Sequence, residues 1–177
     1  MSHDFQPGAH LRDERTWYGH DGVYLGPHGG DDWVMQFGGG GLSEKARSRI
    51  DYVPLAEFQK SGRVTVVEHE GQDFEATLRR AAWLIENPPP MPYHLIGHNC
   101  EHIARWCAMG NFSSRQVEGL LGLNLGVGAF FTLVEQPGGA WRLVVGLVSL
   151  FLSLFMMWLS DRGARRFREH IEQNWPG

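Results

Sequence analysis

His98-Asn99-Cys100-Glu101-His102 is the stretch on which the reading of this chain turns. Asparagine is a good helix-capping residue. After it Cys100, Ile103, Ala104 and Cys107 recur at helical spacing, with Gly110 as a stop. The spacing predicts a helix from Asn99 to about Met109 with Cys100 at its N-terminal end. A thiol there feels the positive end of the helix dipole, which favours thiolate, the form that attacks carbonyl carbon. The pentad points to a cysteine nucleophile whose base must come from elsewhere in the chain.

Composition narrows the field. The chain has 177 residues and a formal charge of -4, a balance that leaves no basic footprint for nucleic acid. Its two cysteines, Cys100 and Cys107, stand seven apart on one helix, roughly 10 Å between α-carbons, too far for a disulfide. A thiol pair without a disulfide framework fits a reducing compartment. The first ten residues are polar and carry no apolar core of a secretory signal.

Working outward, residues 1–118 read as one mixed α+β domain. Trp17 to Leu25 alternates as a strand with Tyr18, His20, Gly22 and Tyr24 on one face. The turn-rich run Gly26 to Asp32 and a second strand from Trp33 to Phe37 make a hairpin. Gly38 to Ser48 reads as a loop. Further strands are expected over Asp51–Leu55 and Arg63–Glu68, with a helical turn near Ala56–Lys60. Phe74, Leu78, Ala81, Ala82 and Ile85 predict a helix over Asp73–Glu86, ended by three prolines. Ser113 and Gln116 have capping-box spacing for another helix.

The chain then changes character. Gly119 to Val134 and Leu143 to Ser160 contain no charge, with the turn-like Glu135-Gln136-Pro137-Gly138-Gly139 between them. The second run is long enough to cross a bilayer and leaves no polar face for solvent. Residues 119–161 are therefore expected to be membrane segments, one helix or a hairpin, and 162–177 a basic tail. Arg162, Arg165, Arg166 and Arg168 put the C-terminus on the cytoplasmic side. A hairpin keeps the cysteine domain there too.

His20 is the leading base. Gln36 falls on the same strand face, opposite or diagonal to it, so that its amide oxygen can accept one ring N–H and leave the other nitrogen for the thiol. Here the pattern becomes familiar. His20-Asp21-Gly22-Val23-Tyr24-Leu25-Gly26 followed by Asn99-Cys100-Glu101-His102 resembles the lecithin retinol acyltransferase family and its phospholipase/acyltransferase relatives. That family carries a strand motif H-x-[GA]-[IV]-Y-[LV]-G and an N-C-E-H-F box, and Pro7-Gly8-Ala9-His10-Leu11 is similar to its opening. The resemblance spans roughly residues 5–118. It implies a circularly permuted papain-like (NlpC-type) fold with an antiparallel sheet. It also implies Cys100 as acyl-accepting nucleophile and His20 as its base. Gln36 stands where the family has a second histidine, and Ile103 where the box has phenylalanine.

Other assignments follow from the residues. Tyr24 is expected either to line the substrate site or to pack. Asn99 caps the helix, Glu101 suits its positive end, and the Cys100 backbone N–H can serve as an oxyanion donor. Cys107 is a packing residue. His94, His98 and His102 lie four apart, but a helix starting at Asn99 breaks that row, so neither metal nor cofactor is expected. The expected activity is membrane-anchored acyl transfer or phospholipase cleavage of glycerophospholipid esters, with the bilayer as partner. The alternatives are a permuted papain-like peptidase or amidase, and a non-catalytic membrane adaptor.

Overall fold

The computed structural model describes residues 4–15, 19–38, 49–60, 63–90, 99–133 and 140–176. Five strands, β1 (His10–Glu14), β2 (Gly19–His28), β3 (Asp31–Phe37), β4 (Ile50–Pro54) and β5 (Val64–Val66), form one sheet in the order β4-β3-β2-β1-β5. All its pairings are antiparallel. The mixed architecture with an antiparallel sheet is as expected.

The β2–β3 hairpin is tighter than its turn-rich sequence suggested. Its loop is Gly29-Gly30, with φ of +65° and +95°, between the paired His28 and Asp31. Two positive φ angles make the turn whose twist matches paired strands, and glycine reaches them without strain. The residues expected to form the loop after β3 lie, from 39 to 48, outside the described residues.

Alternation along the strands gives the sheet two buried faces. One carries Val23, Met35, Phe37 and Ile50, and packs on α2 (Phe74–Glu86) and α3 (Cys100–Met109) through Ala81, Leu84, Ile103, Ala104, Trp106 and Cys107. The other carries Leu11, Tyr24, Val34 and Val53 against Leu55 and Phe58 of the short α1 (Leu55–Phe58). The caps explain where the helices begin and end. The Asp73 side chain accepts from the Ala76 N–H at 2.9 Å. Asn99 caps α3, and Gly110, at φ +69°, closes it in the left-handed region.

Beyond α3 the chain continues as two long helices. Ser114, not Ser113, caps the next helix, its Oγ accepting from the Val117 N–H at 3.3 Å. That helix, α4 (Arg115–Leu133), runs unbroken across the expected boundary at 118/119. The last helix, α5 (Trp141–Asn174), likewise runs through 161/162, so most of the expected basic tail is helical. The reason is packing. Phe167 is 1% exposed and, with Ile171 and Trp175, joins the core beneath α3. Phe167 stacks on Phe112 at 4.3 Å and meets Trp106 edge-on at 5.3 Å.

The apolar half of α5 does not join that core. Leu143–Asn174 contains an apolar window of which 22% is buried, and it is long and apolar enough to cross a membrane. Leu147, Phe151 and Leu154 are more than half exposed. The apolar half of α5 is thus not a buried core helix within this chain.

Candidate active site

His20 lies one residue into β2, 2% exposed, and its Nε2 is 2.9 Å from Gln36 Oε1. The register pairs Gln36 with Gly22, so glutamine and histidine are diagonal neighbours on one face. An amide oxygen only accepts, so Nε2 carries the proton and Nδ1 keeps its lone pair. The space beside Gly22 is filled. A side chain there would run into Phe58 and Val34, and the Phe58 ring packs against His20 at 5.2 Å.

Burial pushes the His20 imidazole down to about 4. The Gln36 hydrogen bond opposes the fall, the Arg15 charge adds to it, and Asp21 and Asp13 resist it. The ring is neutral at neutral pH and able to accept a proton. Behind Gln36, directly across β3–β4, stands Asp51. Burial raises its carboxyl, against a side-chain hydrogen bond from Gln36 and the nearby Arg49.

Cys100 is the first residue of α3 and is 2% exposed. The Asn99 side chain accepts from the His102 N–H at 3.1 Å, while the His102 ring reaches back to the Asn99 backbone N–H, 3.3 Å away. This is a capping box with histidine in the usual glutamate place. It holds the first turn, and with it the Cys100 backbone N–H, in fixed geometry.

A family model, lecithin retinol acyltransferase, matches residues 3–113, the span that carries His20, Gln36 and Cys100. The chain belongs to the lecithin retinol acyltransferase family. Acyltransferase and phospholipase-type activity is general in that family. No curated protein matches the chain closely enough to refine this.

Within this family member, the structure brings His20 and Gln36 together and opens α3 with Cys100; α3 packs against β2, β3 and β1. His20 and Gln36 lie on the sheet face that carries Tyr24 and Val34 and packs on Phe58, whereas α3, which begins with Cys100, packs on the opposite face with Val23 and Met35, so the structure does not bring the thiol and the imidazole together. Tyr24 is buried, its ring edge-on to Phe5 and its hydroxyl donating to Asp32. Burial and that bond raise the phenol to about 12. Cys107 is fully enclosed, and burial raises its thiol, as suits a packing residue. Among the described residues no three His, Cys, Asp or Glu groups converge as a metal site, and His94 and His98 lie outside those residues.

A buried polar network beside α3 was not read from the sequence. Arg12 Nε donates to Asp21 Oδ1 at 2.9 Å and a terminal nitrogen donates to Glu101 Oε1 at 3.0 Å. Asp21 Oδ1 also accepts from His10 Nε2 at 2.9 Å, and His10 Nδ1 is 2.8 Å from His69 Nε2. Glu101 Oε2 accepts from Ser114 Oγ at 2.6 Å. Burial works to lower the Arg12 pKa, but Asp21 and Glu101 outweigh it and hold the guanidinium charged. Burial works to raise Asp21, but His10 and Arg12 keep it ionised. The network ties β1 and β2 to the first turns of α3 and α4. The readable signal was His10 and Arg12 alternating two apart, beside an acid one residue after His20.

Proposed function

We propose that this chain is a membrane-anchored acyltransferase or phospholipase A-type enzyme that works through a thioester on Cys100. The observation that carries the reading is the buried His20–Gln36 hydrogen bond, because it reserves the basic Nδ1 for a proton. Cys100 Sγ attacks the ester carbonyl of a glycerophospholipid while His20 Nδ1 takes the thiol proton. The Cys100 backbone N–H, held by the Asn99–His102 capping box, donates to the oxyanion. Collapse breaks the ester C–O bond, and His20 returns the proton to the leaving lysophospholipid hydroxyl. Water or an acceptor amine or hydroxyl then attacks the thioester, gives its proton to His20, and releases Cys100. The mechanism requires Cys100 Sγ and His20 Nδ1 to come within hydrogen-bond reach in the substrate complex, a rearrangement around the start of α3 relative to β2.

The order of the parts, a histidine strand ahead of the cysteine helix, supports a circularly permuted papain-like arrangement. The exposed apolar surface of α5 supports a membrane anchor. Helices α4 and α5 pack on one another, and the end of α5 returns to the domain at Phe167, as a hairpin requires. The Arg162 guanidinium lies 5.2 Å over the Trp158 ring, a pairing suited to the headgroup layer. The arginines after it favour a cytoplasmic catalytic domain. Tyr24, two residues along the His20 face, forms a wall of the site rather than a polar handle.

The test is lysophospholipid release from phospholipid nanodiscs containing the full chain. Cys100→Ala abolishes release, His20→Ala lowers it by about 100-fold or more, and Gln36→Ala lowers it far less. Release that survives in Cys100→Ala overturns the reading. A second reading, a non-catalytic membrane adaptor, is favoured by one observation: an imidazole held down to about 4 is a weak base. Wild-type protein that releases nothing decides for the adaptor.

A further inference from the structure

Arg105 is anomalous. It lies one turn after Glu101 on α3, yet its Nε and one Nη are buried with no hydrogen-bond partner among the described residues. Both oxygens of Glu101 are already taken, one by Arg12 and one by Ser114. Unpaired buried donors on a permanent cation are strongly unfavourable, and native structures retain them where something else supplies the acceptor. Two more basic groups are tied to this end of α3 through the polar network. Arg115 is exposed and follows Ser114, whose hydroxyl is bonded to Glu101 on the Arg105 face of α3. His69, half-buried, is stacked on His10 at the end of the network. After burial and His10, the charges of Arg105, Arg115 and Arg12 are what push His69 down, to about 4.

We propose that Arg105 and Arg115, with His69 at the rim, bind a phosphate group, and that the phosphate is carried by a lipid. A guanidinium presents a planar fork of donors that matches phosphate oxygens, and a second arginine answers the remaining charge. The position identifies the source. Arg115 is the first residue of α4, whose apolar part Val117–Phe131 begins two residues later. A group bound between Arg105 and Arg115 is therefore level with the place where the chain turns apolar, the level of phosphate headgroups at a membrane surface. From the proposed function this inference takes only the membrane placement, and needs no chemistry at Cys100.

The test uses the full chain as Cys100→Ala in neutral-detergent micelles, so that no acyl transfer contributes. Dihexanoyl phosphatidic acid, dihexanoylglycerol and inorganic phosphate are titrated calorimetrically, with thermal unfolding in parallel. The phosphatidic acid binds and raises the unfolding temperature, and the diacylglycerol does neither. Arg105→Gln and Arg115→Gln each weaken that binding by at least about tenfold, the loss expected for a charge-assisted hydrogen bond. Without ligand, Arg105→Gln unfolds no lower than its parent, because its Nε and one Nη have no partner among the described residues. Inorganic phosphate that competes fully would make the ligand a soluble phosphate, overturning the lipid source. Two other results overturn the site itself: no phosphate probe binding, or affinity unchanged in both variants. Arg115 is exposed, so its variant decides the matter even if Arg105→Gln fails to fold.

Discussion

Arg12→Met probes a cation that holds the cysteine helix to the sheet. Arg12 joins Asp21 and Glu101, carboxylates whose side chains are 0% and 3% exposed, while its own is 20% exposed. Breaking one buried pair from one side costs about 3–5 kcal/mol. Two considerations favour the low end: the guanidinium keeps some water, and each acid retains another partner, His10 for Asp21 and Ser114 for Glu101. The expected loss is about 3 kcal/mol, a fall of roughly 10 °C in unfolding temperature for a chain of this size. Thermal and urea unfolding in detergent measure it. Asp21 is held below the ordinary carboxylate range, so its share of stability is complete above the unfolded pKa and is lost as pH falls through the folded one. The gap between wild type and Arg12→Met therefore narrows in acid. Adding Asp21→Asn and Glu101→Gln to Arg12→Met recovers part of the loss, because it removes the stranded charges. A loss under about 1 kcal/mol at neutral pH would refute the claim that Arg12 organises this junction.

Three further outcomes are expected. The His20 pKa falls from 6.5 to about 4 on folding, so its stabilisation is complete above the unfolded pKa and is lost as pH drops from about 6.5 towards 4. That is about 3 kcal/mol, read as the difference in pH-stability slope between wild type and His20→Gln, and equal slopes contradict it. Cys107, enclosed and with a raised pKa, reacts with iodoacetamide only after unfolding; labelling of Cys107 in native protein would contradict the packing role. Phe167→Ala removes a ring stacked on Phe112 and edge-on to Trp106 and destabilises the domain by about 3–5 kcal/mol. A loss below 1 kcal/mol would mean that the end of α5 is not part of the core.

What the sequence made legible was local. Asp73, Asn99 and Gly110 mark helix ends through bonds to backbone within four residues, so α2 and α3 could be read to within a residue. The His20–Gln36 contact was legible because a hairpin fixes which residues share a face. By contrast β1 was legible only through the resemblance of Pro7–Leu11 to the family's opening, where the chain enters its first strand. Its buried positions include His10 and Asp13, so the apolar alternation that announces a strand is missing. The polar network was invisible for the same reason, since its partners at 10, 12, 21, 69, 101 and 114 meet only in the folded chain. The end of α5 was legible and overlooked: Phe167, Ile171 and Trp175 recur every four residues, but the surrounding arginines obscured that stripe.

The central claim is that Cys100 accepts the acyl group. Purified full chain is mixed with phospholipid, quenched in acid and weighed intact, with and without hydroxylamine. The account predicts an added mass of one acyl chain that hydroxylamine removes and that is absent from Cys100→Ala. An acyl adduct that persists in Cys100→Ala, or turnover of phospholipid with no adduct on Cys100 at any quench time, contradicts it.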